Sequence, residues 1–73
     1  MDPNANLAEQ QRILRARQPG SRTDAGRLQE LRAALAQWLH AGGFEPTWDA
    51  YPTAARYWRA FRESRRRMAG RTA

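Results

Sequence analysis

The stretch "WLHAGGFEPTW", residues 38–48, decides where the chain turns, because it places a glycine pair and a proline among large apolar side chains. Either glycine can take the left-handed conformation that ends a helix, and Phe44 would then pack back on the last turn. Pro46 prevents the helix from continuing at once, and Thr47 is expected to cap a short turn over residues 48–51. The stretch therefore predicts a Gly-Gly-Phe corner after a helix, and the alternative is an aromatic groove for a peptide or a base.

Apolar residues at helical spacing on both sides of this corner predict the helices that it joins. In helix two they are Leu28, Leu31, Leu35, Trp38 and Leu39, and in helix three they are Ala54, Tyr57, Trp58, Phe61 and Met68. We expect helix two over about residues 24–41 and helix three, beginning at Pro52, over about residues 52–68. These two helices are expected to form the hairpin that carries most of the core.

A further helix is expected over about residues 3–17, where Asp2 provides an N-cap and Pro3 the first helical residue. Its apolar residues are Leu7, Ile13 and Leu14, with Gln10 between them on the helical wheel. This stripe is narrow, so helix one is predicted to be the least securely docked.

The sequence as a whole predicts one small all-α three-helix domain over residues 1–73. Residues 18–23, with the helix-breaking Pro19-Gly20 pair, form the expected linker between helices one and two. Gly70 is expected to end helix three, which leaves residues 70–73 as a frayed tail. A chain of this length lies near the lower limit for folding without disulfides or metals, and it contains no cysteine.

The charge is strongly basic, with a formal net charge of +6 from 13 arginines and no lysine. Together with the many alanines, the absence of lysine is typical of a GC-rich genome, which weakens the argument from arginine content to nucleic-acid binding. The charge itself still favours acidic partners such as DNA, RNA or acidic proteins.

The residue types that catalysis requires are largely missing, so we expect a non-enzymatic protein without a cofactor or a metal site. The lone histidine, His40, lies near the end of helix two, where its cation interacts favourably with the helix dipole. Glu45 and Asp49 could form a pair of carboxylates, but each is interpreted as a solvated or first-turn acid. Neither a phosphate-binding loop nor metal-ligand spacing occurs. An apolar run of about 18 residues, as a membrane span requires, is absent, and no signal peptide is apparent. A cytoplasmic protein is therefore predicted.

Helix three carries the candidate binding surface, a row of arginines opposite its apolar face: Arg56, Arg59, Arg62, Arg66 and Arg67. We expect them to contact nucleic-acid phosphates, and the simpler alternative is a solvated basic face. A helix-turn-helix fits poorly because residues 41–52 exceed the usual turn of 3–4 residues. The competing hypothesis is an adaptor or inhibitor that binds a protein through arginines and the aromatics Trp48, Tyr51 and Tyr57. Binding of helix three at a membrane surface ranks third.

Two segments resemble those of short uncharacterised proteins from actinobacteria and their phages. These segments are "DPNANLAEQ" at residues 2–10 and "WLHAGGFEPTW", and the similar proteins open with D-P-N-A-[NT]-L and end a helix with W-L-x-x-G-G-F-x-P. The resemblance covers about half of the chain and leaves the arginine-rich helix outside. It implies a bacterial or phage source, and it transfers neither an activity nor a functional residue to this chain.

Overall fold

The structure is a computed structural model that describes residues 1–16 and 22–71. These residues form three α-helices: α1 (Pro3–Ala16), α2 (Arg22–His40) and α3 (Pro52–Arg71). The connection between α2 and α3 contains a short 3-10 turn at Trp48–Ala50. The described residues contain no strand. The prediction of a small all-α three-helix domain is therefore confirmed.

Two helix boundaries differ from the predicted ones. α2 begins at Arg22, inside the expected linker, and α3 continues through Gly70 to Arg71, so the predicted helix end at Gly70 is wrong. A glycine inside a helix costs only about 1 kcal/mol relative to alanine, and its neighbours are good helix formers. The expected break at Pro19-Gly20 and the last two residues of the expected tail lie outside the described residues. The side chain of Met68, a predicted core residue, also lies outside the described part of the chain.

The start of α1 follows the predicted capping pattern. Oδ1 of Asp2 accepts hydrogen bonds from the backbone N–H groups of Asn4, at 2.9 Å, and Ala5, at 3.3 Å. These groups have no partner within the helix, so the carboxylate satisfies them as an N-cap does. Pro3, which has no N–H to satisfy, is the first residue of α1.

α1 is the central helix of the domain, which corrects the prediction that it would be the least securely docked. It packs against both α2 and α3, whereas the backbones of α2 and α3 hardly approach each other. The expectation that helices two and three form the main hairpin is therefore also wrong. The reason lies in the buried face of α1, which includes Asn6 and Gln10 as well as the apolar residues.

Asn6 and Gln10 form a buried chain of hydrogen bonds between α1 and α2. Nδ2 of Asn6 donates to the backbone carbonyl oxygen of Leu31 in α2 at 3.0 Å. Nε2 of Gln10, a residue with no exposed surface, donates to Oδ1 of Asn6 at 2.7 Å. Because a buried polar group without a partner costs about 1–3 kcal/mol, this chain favours one register of α1 against α2.

Two more amide side chains of α1 bind the segments around the start of α3. Oδ1 of Asn4 accepts the backbone N–H of Thr47 at 2.7 Å, just before the 3-10 turn. Oε1 of Gln11 accepts the backbone N–H of Ala54, in the first turn of α3, at 2.7 Å. The side chain of Gln11 thus does for α3 what an N-cap residue does locally, because it satisfies an unpaired N–H group from another helix.

An ion pair at the surface joins α1 to α2. Nε and Nη2 of Arg27 donate to the two carboxylate oxygens of Glu9 at 2.6 and 3.2 Å. Arg27 also contacts Glu30, at 3.3 Å. The hydrogen bonds from Arg27 hold the pKa of Glu9 below its ordinary value.

The apolar core consists of two clusters that α1 connects. Leu14 of α1 packs against both of them. The larger cluster contains Leu7, Leu35, Ala54 and Trp58, and the smaller one contains Ile13, Leu28 and Leu31. Trp48 stacks on Trp58 with ring centroids 6.1 Å apart, so the 3-10 turn closes the larger cluster. Every cluster draws on α1, which explains how a chain with a small core holds three helices.

The glycine corner has the geometry of a Schellman motif. The N–H of Gly43 donates to the carbonyl oxygen of Trp38 at 2.9 Å, and the N–H of Gly42 donates to that of Leu39 at 3.1 Å. Gly42 has a φ of +92°, a conformation that side chains with a Cβ rarely adopt. Gly43 is required for another reason, because a Cβ there would overlap the indole of Trp38. The two glycines therefore have separate roles.

Phe44 packs back on the last turn as predicted, since its ring meets that of Trp38 edge-on at 5.5 Å. Nε1 of Trp38 also donates to the carbonyl oxygen of Phe44 at 2.9 Å. The predicted side-chain cap by Thr47 is wrong, because this residue makes no capping hydrogen bond with its side chain. Its backbone N–H is instead held by Asn4.

Replacing Asn6 by leucine should destabilise the protein by about 1–3 kcal/mol, because the buried amide of Gln10 loses its acceptor. The double variant Asn6→Leu/Gln10→Met should recover part of this loss, since it removes both polar partners. Urea denaturation of the two variants and the wild type measures the difference in the free energy of unfolding. An Asn6→Leu variant as stable as the wild type would contradict the role of this amide.

Replacing Gly43 by alanine should cost about 1–3 kcal/mol, because the new methyl group displaces the Trp38 indole. Gly26 lies inside α2 with open space around its Cα, so the matched change Gly26→Ala should raise stability by about 0.4–1 kcal/mol. Thermal unfolding followed by circular dichroism compares the two. Equal melting temperatures for both variants would show that Gly43 does not need the close approach to Trp38.

Candidate functional site

The excess positive charge lies in a single helix. α3 contains seven of the 13 arginines and one of the seven acidic residues, which gives it a formal charge of +6. The rest of the chain contains six arginines and six acidic residues and is formally neutral. The net charge of the protein is therefore that of α3.

The segment of α3 that follows Phe61, residues 62–67, carries four arginines and is exposed. Trp58 is only 3% exposed and Phe61 is partly buried, but every residue from 62 to 67 is exposed. Within this segment Nη2 of Arg67 contacts Oε1 of Glu63 at 3.3 Å, and both side chains are mostly exposed. The helix thus extends beyond the core and presents its guanidinium groups to the surroundings.

The five arginines of the predicted site are all exposed, but they have different surroundings. Arg62 and Arg66 line a cleft between α2 and α3, and Arg56, Arg59 and Arg67 lie outside its lining. Arg65 also lines this cleft and was missed by the sequence analysis. Its position four residues after Phe61 and seven after Trp58 places it on the apolar face, and that spacing was the available signal.

The cleft has a volume of about 860 Å³ and is lined by three parts of the chain. α2 contributes Ala33, Ala36, Gln37, Leu39 and His40, and the glycine corner and its continuation contribute Gly43 and Glu45. α3 contributes Trp58, Phe61, Arg62, Arg65 and Arg66. We call this feature the α2–α3 cleft. It combines an apolar surface with three guanidinium groups.

Two arginines approach the aromatic ring of Phe61 from different helices. The guanidinium carbons of Arg32, in α2, and Arg65, in α3, each lie 5.7 Å from the ring centroid. Both distances lie within the range of a cation–π interaction. These contacts bring side chains of α2 and α3 together beside the cleft, although the backbones of the two helices remain apart.

The aromatic residues of the predicted protein interface have different environments. Trp48 and Tyr51 are partly buried and pack against the larger core cluster. Tyr57 is 43% exposed, with the guanidinium carbon of Arg56 5.8 Å from its ring centroid. Phe44 is a further exposed aromatic, at 61%, although the corner pattern predicted only its packing against the last turn of α2.

The remaining titratable candidates are all exposed. His40 and Glu45 lie at the cleft, and Asp49 lies in the 3-10 turn. Within the part of the chain that the structure describes, no three histidine or acidic side chains are grouped closely enough to hold a metal ion. The same described residues include no helix with the length and apolar character of a membrane span.

Comparison of the chain with protein-family models, with curated proteins and with solved structures gave no match. The resemblance to short actinobacterial and phage proteins therefore stays a prediction.

Proposed function

We propose that the protein is a non-enzymatic binding protein of the cytoplasm that holds nucleic acid through the phosphate backbone. The observation that supports this proposal is the concentration of the whole formal net charge on α3, whose residues 62–67 are all exposed. Guanidinium groups bind phosphate oxygens with two parallel hydrogen bonds, so an exposed row of arginines suits a polyanion.

The contacts of α3 would recognise the backbone more than the sequence of the nucleic acid. α3 contains no asparagine or glutamine, the residues that pair with adenine in the major groove. Arg56 and Arg59 lie on successive turns at its start, and Arg66 and Arg67 lie near its other end. Contacts of this kind fix the position of a protein on a duplex but carry no sequence information directly.

A second candidate function is that of an adaptor or inhibitor that binds an acidic protein. Two exposed aromatic side chains, Phe44 and Tyr57, favour it, as does the position of Arg56 beside Tyr57. Tyrosine, tryptophan and arginine dominate the residues that contribute most energy at protein interfaces.

Binding of labelled duplex DNA and single-stranded RNA, measured by fluorescence anisotropy at several salt concentrations, tests the first function. With about five phosphate contacts, the logarithm of the affinity for duplex DNA should fall with that of the salt concentration with a slope of about −4 to −5. The variant Arg56→Ala/Arg59→Ala should make this slope less negative by about two units, because it removes two phosphate contacts.

The matched control is Arg12→Ala/Arg15→Ala, which removes two exposed arginines at the same spacing from α1. It should leave the slope nearly unchanged. Equal losses in the two double variants would mean that α3 is not the phosphate-binding surface. Absence of binding to either nucleic acid at low salt would refute the proposed function.

A further inference from the structure

We propose that the α2–α3 cleft is a docking site for an acidic amphipathic helix of a partner protein. This site goes beyond nucleic-acid binding, because it is lined by residues on the inner side of α3 and on α2, whereas Arg56, Arg59 and Arg67 lie outside it. Its occupant is inferred from the length of the two helical walls, the charge along one of them, and the coverage of the aromatic rings.

The walls of the cleft run parallel to helix axes over two turns. On α2 the lining residues Ala33, Ala36, Gln37 and His40 follow the spacing i, i+3, i+4, i+7, and on α3 Trp58, Phe61, Arg62 and Arg65 follow the same spacing. At 1.5 Å per residue each wall is about 10 Å long. A groove between two helical walls of this kind is the usual receptor for an amphipathic helix. The alanines on the α2 wall leave room for its backbone to come close.

The charge of the cleft selects an acidic occupant. Arg62, Arg65 and Arg66 all lie on the α3 wall and are exposed. Glu45 is the acidic residue in the lining, and it belongs to the segment after the glycine corner. A docked helix would therefore place aspartate or glutamate side chains toward α3 and apolar side chains toward Ala33, Ala36 and Leu39 of α2.

The same lining disfavours single-stranded nucleic acid as the occupant. Such strands bind where aromatic faces are free for bases to stack. Trp58 is 3% exposed because Trp48 and Phe61 pack on it, and the Phe61 ring is approached by the guanidinium groups of Arg32 and Arg65. The described lining thus offers arginine and aliphatic surface rather than an open stacking platform.

The test is selection of ligands for the full-length protein from a display library of random peptides of about 14 residues, which span about 20 Å as a helix. Enriched peptides should carry aspartate or glutamate beside apolar residues at i, i+3, i+4 and i+7, and should become helical when bound. Fluorescence anisotropy with one synthesised peptide then gives dissociation constants for variants of the protein.

Two pairs of variants separate the cleft from the general charge of the protein. Ala33→Glu places a carboxylate in the cleft, whereas Ala34→Glu makes the same change at an exposed neighbour outside the lining. Arg65→Gln removes a cleft arginine, whereas Arg59→Gln removes one from outside the cleft. Arg65→Gln should weaken peptide binding about tenfold, as expected for loss of a charged hydrogen bond. Ala33→Glu should weaken it about as much, because its carboxylate repels the acidic side chains of the peptide. The second member of each pair should weaken binding less than twofold.

Equal weakening within each pair would overturn the proposal, because binding would then follow net charge alone. Enrichment of peptides without acidic residues, or of none above background, would overturn it as well. A single-stranded RNA that binds more weakly to Arg65→Gln than to Arg59→Gln, while the peptides bind to both equally, would assign the cleft to nucleic acid instead. Duplex binding that is lost in Arg56→Ala/Arg59→Ala remains a separate result, so the two functions can fail independently.

Discussion

The hydrogen bond from the buried amide of Asn6 to the carbonyl oxygen of Leu31 is the contact on which the arrangement of the helices depends. It fixes α1 against α2 in the interior, where the amide of Gln10 donates to Asn6. Asn4 and Gln11 extend the same principle to the connection before α3 and to the first turn of α3. A chain this small buries little apolar surface, and directional hydrogen bonds from one helix give its few core residues a single arrangement.

The central position of α1 has consequences for the surface. Because α1 holds both other helices, the backbones of α2 and α3 stay apart and the cleft remains between them. Among the described side chains of α3, Phe61 is the last that packs on the core, and residues 62–67 after it are exposed. The positive charge thus lies on a helix that is anchored through Ala54, Trp58 and Phe61 and exposed over residues 62–67.

The sequence was sufficient to predict the three helices and the glycine corner, because these depend on local chemistry. The Asp2 cap, Pro52 as the start of α3 and the glycine pair all act within a few residues of themselves. The packing order could not be predicted, because a glutamine on a helical wheel indicates a polar face unless its partner is known. Gln10 is buried through a hydrogen bond to Asn6, which in turn depends on Leu31, 25 residues away from it. Arg65 was missed for a related reason, since its spacing indicates core and its exposure follows from where the core ends.

The measurement that tests the account most directly is a nuclear magnetic resonance titration of the isotope-labelled protein with a short duplex DNA at low salt. We expect the arginine Nε–H signals of α3, from Arg56 to Arg67, to shift and salt to reverse these shifts. The signals of Arg12 and Arg15 in α1 should stay in place. Shifts that centre on α1 or α2, or an unchanged spectrum, would contradict the proposal that the arginines of α3 form the nucleic-acid-binding surface of this protein.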